Sequence, residues 1–156
     1  MTLYKYVLHH PKNTTDKWFL EAIGTYVSYL NGCDYCFEHH YHGMARLIDD
    51  PAKAKSIRTA IETGVVENLK TLSDQERAAF TYAKALTANP SHMSESAVSK
   101  LRDTGLTDGE ILEINQVVSY FAYANRMVLG LGVSTEGDIM GLSPNDSDDP
   151  DNWSHS

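Results

Sequence analysis

Residues 18–42 read WFLEAIGTYVSYLNGCDYCFEHHYH. Apolar side chains recur at helical spacing from residue 18 to residue 30, which predicts an amphipathic helix. Asn31-Gly32 ends that helix, because glycine readily adopts the left-handed conformation found just after many helices. A second helix is predicted from residue 34 to residue 47 or 48. Because the turn between them is short, we expect the two helices to fold back on each other as a hairpin.

The rest of the chain shows helical patterns and no strand pattern. Helices are predicted at about 53–62, 73–89, 94–104 and 107 to 130 or 132. Two of these begin with capping boxes, Ser73-Asp-Gln-Glu76 and Thr107-Asp-Gly-Glu110. We predict one all-α domain of five or six helices over residues 1–142, in which residues 1–15 form a polar lead-in. Residues 143–156 are rich in Pro, Asn, Asp and Ser and are predicted to be an acidic, disordered tail.

The composition excludes several classes of function. The formal net charge is −8, and an acidic chain is poorly suited to nucleic acid or an anionic membrane, since both attract clustered Lys and Arg. No apolar run approaches the roughly 20 residues of a membrane helix, and the N-terminus lacks the apolar block of a signal peptide. Two cysteines are too few for a disulfide-stapled scaffold. We therefore expect a cytoplasmic protein with no membrane or nucleic-acid partner.

The side chains most suited to chemistry lie in residues 33–42. On a helix that begins near residue 33, Cys33, Cys36 and His40 fall on one narrow stripe, which we expect to face the core. The same stripe continues through apolar side chains, namely Phe37, Met44 and Leu47. His42 is predicted to point into solvent and His39 to lie at the flank. One thiol pair and one imidazole are therefore predicted to project together into a partly buried site.

A thiol pair at a helix N-terminus is suited to thiol exchange. One sulfur can attack the other without movement of the backbone, and the helix dipole with its free N–H groups stabilises a thiolate there. An adjacent imidazole can take the thiol proton and so generate the nucleophile at neutral pH. Cys33, Cys36 and His40 together indicate redox chemistry of this kind.

Glu21 is the one side chain from residue 18 to residue 32 that is charged at neutral pH. It lies in an arc of small residues (Gly24, Thr25, Ser28), and such an arc usually admits another helix closely. A carboxylate in those surroundings has a perturbed pKa and can orient and polarise an imidazole. Because the predicted hairpin folds the two helices together, we hypothesise that Glu21 acts on the site of Cys33, Cys36 and His40.

Four positions with this spacing resemble a known family. Glu21, Cys33-x-x-Cys36 and His40 resemble the site of the AhpD-like alkylhydroperoxidases in the carboxymuconolactone decarboxylase superfamily. The Cys-x-Tyr-Cys form, with Tyr35, resembles the branch called peroxidase-related. The segment Tyr120-Phe-Ala-Tyr-Ala-Asn-Arg-Met-Val-Leu-Gly-Leu-Gly132 resembles the terminal helix of that branch. The resemblance covers about residues 16–135 and implies an AhpD-like helical bundle with the CxxC at the start of a central helix.

The resemblance also implies roles for these residues. Cys36 would attack the hydroperoxide and become a sulfenic acid, and Cys33, which is expected to be the more exposed thiol, would resolve it into a disulfide. His40, assisted by Glu21, would move the proton. A thiol or lipoyl-type protein would supply electrons to a homo-oligomer (a dimer, trimer or hexamer), and no metal or organic cofactor is implied. Two departures are a short N-terminal portion, which suggests that leading helices are absent or supplied by a neighbouring subunit, and Tyr35 where AhpD has a histidine.

Several alternatives compete with this interpretation. The two cysteines can be neighbours by chance, or they can bind zinc with His40 and one of His39 or His42, but ligands packed into one helix do not converge. Phe37 excludes a haem-attachment motif, and a thioredoxin-like site needs strands. A decarboxylase of the same superfamily typically lacks the CxxC, and a redox-responsive binding protein would form the disulfide without turnover.

The remaining expectations place His9, His10 and His92 at the surface, and Tyr120, Phe121 and Tyr123 in the core or a subunit interface. The helix at 18–30, being apolar over much of its girth, also suggests oligomerisation.

Overall fold

The computed structural model describes residues 2–141 of the chain, and within that range every regular element is helical. The α-helices are α1 Thr2–Leu8, α2 Lys17–Leu30, α3 Asp34–Ile48, α4 Pro51–Glu62, α5 Asp74–Ala88, α6 Glu95–Asp103 and α7 Asp108–Leu131. Two short 3₁₀ helices, Val66–Asn68 and Pro90–His92, lie on either side of α5. The predicted all-α class is therefore confirmed. The predicted tail at 143–156 lies outside the described residues.

Helix α2 is the centre of the fold. Every residue from 19 to 28 is buried, and the helix packs against α1, α3, α4, α5 and α7. Perpendicular aromatic contacts tie it to α5, with the Phe80 ring centroid 5.6 Å from that of Phe19 and 5.4 Å from that of Tyr26. The apolar girth of this helix is thus covered within one chain. The apolar girth of α2 therefore gives no support for oligomerisation, which stays a prediction.

Helix boundaries agree closely with the sequence patterns where capping residues mark them. The boxes at Ser73/Glu76 and Thr107/Glu110 both form completely, with each side chain bonded to the other's backbone N–H. Ser94 stands at the N-cap of α6 but makes no capping hydrogen bond with its side chain. Local hydrogen-bond chemistry therefore sets the starts of α5 and α7.

The first fifteen residues differ from the prediction, because they contain a helix. Helix α1 packs against α7 and α2, and it buries Val7 and Leu8. The loop that follows is fixed to α7, since the carboxylate of Glu113 accepts hydrogen bonds from the backbone N–H groups of Thr14 and Thr15, at 2.9 and 2.8 Å. A seven-residue helix is too short for periodicity to reveal it. This extra helix brings the total in residues 2–141 to seven.

The small residues of α2 admit α7 closely, as the sequence predicted. A Cβ atom built on Gly24 would lie only 2.2 Å from the ring of Phe121, which is itself fully buried. Ser28 donates a hydrogen bond to the carbonyl of Gly24, so its hydroxyl is satisfied within the helix. The absence of a side chain at Gly24 therefore allows α7 to pack closely against α2.

Replacing Gly24 by Ala is expected to destabilise the protein. The added methyl group overlaps the Phe121 ring, and overpacking of this kind costs about 1–3 kcal/mol, which exceeds the gain of roughly 0.5–1 kcal/mol from helix propensity. Urea unfolding measures the difference. Gly130→Ala is the matched control, since Gly130 is also helical and nothing lies within 4 Å of its added Cβ. An equal or higher stability of Gly24→Ala relative to Gly130→Ala would contradict the packing argument.

Candidate active site

The turn between α2 and α3 places Cys33 at the start of a helix. Gly32 has a φ of +67°, and the backbone N–H groups of Gly32 and Cys33 donate to the carbonyls of Tyr29 and Ser28 at 3.0 and 2.9 Å. These two bonds form a Schellman motif, which satisfies the last carbonyls of α2. Cys33 is then the N-cap residue of α3, and Cys36 follows in its first turn. The predicted position of the thiol pair at a helix N-terminus is confirmed.

The two thiols are free and in contact. Cys33 Sγ lies 2.7 Å from Cys36 Sγ, somewhat farther than the roughly 2.05 Å of a disulfide bond. Both cysteines are buried, with 1% of Cys33 and 4% of Cys36 exposed. The expectation that Cys33 is the more exposed thiol was therefore wrong. The Schellman turn folds Cys33 inward under the end of α2, so a position at the helix end does not expose it.

The surroundings of Cys36 disfavour a resting thiolate. Burial, and then the hydrogen bond with Cys33, raise the pKa of the Cys36 thiol to about 12, against the lowering effect of a hydrogen bond from Asn125. The helix N-terminus was expected to stabilise a thiolate at this position, but the effect of burial is larger. At neutral pH the thiol therefore keeps its proton until a base removes it.

Glu21 and His40 form a hydrogen-bonded pair between α2 and α3, in which the carboxylate is buried and the imidazole is partly buried. The Nδ1 atom of His40 lies 2.6 Å from Oε2 of Glu21, and Glu21 is only 1% exposed. The ring of Phe121 stands perpendicular to the His40 imidazole, with 4.4 Å between centroids, and fixes its plane. His40 lies four residues after Cys36, so the two share one face of α3. The structure thus joins Glu21 to His40 and Cys33 to Cys36, and His40 lies one helical turn after Cys36 on α3.

The charge of Glu21 is maintained by its partners. Burial alone would raise the pKa of this carboxyl group, but the charge and hydrogen bond of His40, together with those of His9, lower it to about 2. Glu21 therefore remains a carboxylate throughout the physiological range. An anion held in this way orients the His40 ring through Nδ1 and leaves Nε2 as the nitrogen that accepts a proton.

Two further partners of Glu21 come from the N-terminal segment. The hydroxyl of Tyr4 donates to Glu21 Oε1 at 2.8 Å, and Nε2 of His9 lies 3.3 Å from the same oxygen. The prediction that His9 is a surface residue was wrong, because α1 and the residue after it fold over the site. His10 is half-buried and His92 is exposed. Sequence reasoning missed Tyr4 and His9 because α1 itself was not predicted.

Asn125 is a third residue to which the sequence analysis assigned no role. Its side chain is fully buried on α7, where Nδ2 donates to Ser28 Oγ at 3.0 Å and Oδ1 accepts from Asn31 Nδ2 at 2.9 Å. These bonds fix the orientation of the amide, which also bonds to Cys36 and lowers the pKa of that thiol. Asn125 lies within the stretch on which the family resemblance rests, but its bond to Cys36 could be found only in the structure.

The three aromatic side chains of α7 that were expected in the core or at an interface differ in burial. Phe121 is fully buried and Tyr123 is 56% exposed. Tyr120 lies between them and contributes to the site, with its ring centroid 5.9 Å from that of Tyr4. Burial, and then the nearby Cys36, raise the pKa of Tyr120 to about 12, so its phenol stays protonated.

The predictions for the other side chains of α3 are confirmed only in part. His42 is half-exposed, as predicted, and lies 3.8 Å from Glu38, while His39 packs on the ring of Tyr35 and lies 3.3 Å from Asp138. Leu47 is 41% exposed, so the prediction that it belongs to the buried stripe was wrong. Within residues 2–141, no three Cys, His, Asp or Glu side chains are arranged to hold a metal ion.

Two solved structures share this architecture. One is an uncharacterized peroxidase-related protein from Silicibacter sp. TM1040, with a TM-score of 0.71 and 22% identity over 85% of this chain. The other, described as an alkylhydroperoxidase AhpD core and an uncharacterized peroxidase-related protein, comes from Ralstonia eutropha JMP134, with a TM-score of 0.69 and 22% identity over 82% of this chain. This chain has the AhpD-like fold. It spans 65% and 64% of the length of those two chains.

Other comparisons are negative. No family model and no curated protein matches the sequence. None of the helices in residues 2–141 is long and apolar enough to cross a membrane.

Glu21 makes the stability of the protein depend on pH. Its pKa of about 2 in the folded protein lies below the ordinary value of 4.5, so the stabilisation is present above pH 4.5 and is lost as the pH falls towards 2. The shift corresponds to a contribution on the order of 3 kcal/mol. Urea unfolding between pH 7 and pH 3 should show this loss in the wild type and a flatter dependence in Glu21→Gln. Glu136→Gln, at an exposed position, is the control; if all three proteins share one pH dependence, the argument fails.

Proposed function

We propose that this protein is a thiol-dependent peroxidase that reduces hydrogen peroxide or an alkyl hydroperoxide through a cycle between the Cys33/Cys36 dithiol and its disulfide. The observation that carries the proposal is the contact of two free thiols at 2.7 Å at the start of α3, the same helix whose His40 is joined at 2.6 Å to the buried carboxylate of Glu21. The two thiols suffice for the redox step, and the imidazole of His40 with the carboxylate of Glu21 supplies a base. The fold shared with two proteins described as peroxidase-related supports the same activity.

In the first step, Cys36 is the nucleophile. His40 takes the thiol proton on Nε2, and the thiolate attacks the terminal oxygen of the hydroperoxide. A sulfur–oxygen bond forms, the oxygen–oxygen bond breaks, and the alkoxide leaves as an alcohol after it takes the proton from His40. Cys36 is oxidised by two electrons to a sulfenic acid, and the peroxide is reduced by the same two electrons.

In the second step, Cys33 resolves the sulfenic acid. Its sulfur attacks Cys36 Sγ, a disulfide forms, and hydroxide leaves as water with the proton of the Cys33 thiol. A dithiol reductant, of the lipoyl or thioredoxin-like class, then returns two electrons and two protons to the cysteines. No metal or organic cofactor enters these steps.

Burial of the thiol explains why the base is needed. A thiol whose pKa is raised to about 12 carries little thiolate at neutral pH, so its proton has to leave as the reaction proceeds. We assign that transfer to His40, which lies one helical turn after Cys36, and we propose that Glu21 stabilises the imidazolium that results. The residues proposed for catalysis are therefore Cys36, Cys33 and His40, with Glu21 as the partner of His40.

Two other functions follow from the same fold. A carboxymuconolactone decarboxylase-like enzyme would have no use for a pair of contacting thiols, so Cys33 and Cys36 favour the peroxidase. A redox-responsive protein without catalysis would form the disulfide once and await reduction. Repeated turnover of peroxide distinguishes the proposed enzyme from both.

The turnover of peroxide is expected to require both cysteines. With a dithiol reductant in excess, wild type should consume peroxide continuously, and Cys36→Ser should lose at least about a hundredfold in rate, because the attacking sulfur is gone. Cys33→Ser should form one sulfenic acid per chain, trapped by a dimedone-type reagent, and then turn over poorly. Peroxide loss is followed by a colorimetric assay. If both variants consume peroxide as fast as wild type, the proposed activity is wrong.

The base is tested separately through the reactivity of the thiol. Glu21→Gln is expected to lower the rate of Cys36 alkylation near neutral pH by about tenfold or more, because the imidazolium loses the carboxylate that stabilises it. The alkylated peptide is quantified by mass spectrometry across a range of pH. Glu136→Gln again serves as the control. Equal alkylation profiles in all three proteins would remove Glu21 from the proposed mechanism.

We also propose that the protein is cytoplasmic and that it forms a homo-oligomer; the support for association now comes from α7. The second half of this helix and the segment after it expose large apolar side chains, namely Tyr123, Met127, Leu131 and Ile139. Analytical ultracentrifugation is expected to find a species larger than the monomer. The double variant Met127→Lys/Leu131→Lys should shift it to the monomer because buried lysines oppose association. A monomer at every concentration of wild type would contradict the proposal.

A further inference from the structure

The carboxylate of Glu21 has more partners than the proposed relay uses. His40 binds Oε2, while Tyr4 and His9 both bind Oε1, at 2.8 and 3.3 Å. His9 Nε2 also lies 3.1 Å from the Tyr4 hydroxyl, so the two residues form one cluster on that oxygen. Both come from the N-terminal segment, and neither touches the thiols through any contact described above.

This cluster consists of hydrogen-bond donors. Burial, and then the charge of Glu21, raise the pKa of Tyr4 well above its ordinary value, so its phenol keeps the proton that it donates. The hydrogen bond and charge of His9 help to lower the pKa of Glu21. Each donor spreads part of the carboxylate's charge and weakens the attraction that remains for protons elsewhere in the site.

We propose that Tyr4 and His9 are positioning residues of the proton relay, which occupy Oε1 so that Glu21 orients His40 through Oε2 without holding its proton too tightly. The inference rests on the proposed function for its catalytic meaning, since the relay serves the Cys36 thiol. A carboxylate with fewer donors is a stronger base. It keeps the proton on the imidazole, so the imidazolium returns that proton less readily to the leaving alkoxide, and the pH at which the neighbouring thiol ionises is lowered.

The groups that face Glu21 are contributed by three helices around α2. Tyr4 and His9 approach from α1 and its end, His40 from α3, and Tyr120 from α7, where its phenol feels the charge of Glu21. Of these, Tyr4 and His9 alone bond to Oε1. Helix α1 therefore completes the environment of the carboxylate, although the chemistry lies on α3.

The same segment offers a matched control. Tyr6 and His10 repeat the residue types of Tyr4 and His9 but face away from the site. Tyr6 is 52% exposed, and its ring stacks on His10 with 5.7 Å between centroids. Substitutions at this second pair change the same kinds of side chain on the same segment without changing the donors to Glu21.

The experiment measures the rate of Cys36 alkylation against pH in the reduced full-length protein, with the modified peptide quantified by mass spectrometry. We expect Tyr4→Phe and His9→Leu to move the pH of half-maximal rate downward by about half a unit or more, since each removes a donor to the anion and so strengthens its hold on the imidazolium. Tyr6→Phe and His10→Leu should leave it unchanged. A purely structural defect would lower the folded fraction, seen by circular dichroism, without moving this midpoint.

The outcomes separate the inference from the proposed function. If Tyr4→Phe, which deletes a single oxygen, shifts the midpoint no more than Tyr6→Phe does, the inference is overturned, even where wild type reduces peroxide. If the midpoint shifts but wild type consumes no peroxide, the positioning role stands and the peroxidase proposal fails. Should His9→Leu not fold, Tyr4→Phe decides alone.

Discussion

One buried negative charge organises the centre of this protein. Glu21 is the single charged residue in the fully buried part of α2, and moving a carboxylate out of water is costly unless donors replace the lost hydration. Those donors come from α1 and α3, so both helices have to pack against α2 in one relative position. The bond from His40 in particular fixes the rotation of α3, and with it the direction in which the cysteines face. The charge thus specifies the arrangement of helices as well as the chemistry beside it.

Much of the fold follows from local signals in the sequence. Helices α5 and α7 begin where capping boxes predict, and the turn at Gly32 ends α2 where the left-handed residue is required. The candidate site could be predicted for the same reason, because the spacing of Cys33, Cys36 and His40 places them on one face of a helix. Local rules of this kind depend only on neighbouring residues.

What the sequence did not reveal depends on contacts between distant segments. Helix α1 is short, and its burial against α7 and α2 overrides its weak local pattern, so Tyr4 and His9 could not be placed. The inward turn of Cys33 results from the end of α2 and not from its own helix. Asn125 is held in place by hydrogen bonds with Ser28 and Asn31, which lie nearly a hundred residues earlier in the chain. Pairings at such separation have no periodic signature in one sequence.

The Schellman turn at Gly32 has a kinetic consequence for a sulfenic acid on Cys36. Because the turn holds Cys33 at the N-cap and the first turn of α3 holds Cys36, the two sulfur atoms meet without loss of further chain entropy. Cys33 is thereby presented at an effective concentration far above that of any dissolved thiol. Glutathione-like molecules would have to enter a buried site to compete for the same atom. Capture by the neighbouring cysteine would therefore outrun mixed-disulfide formation, and the chain would reach its oxidised form without a partner.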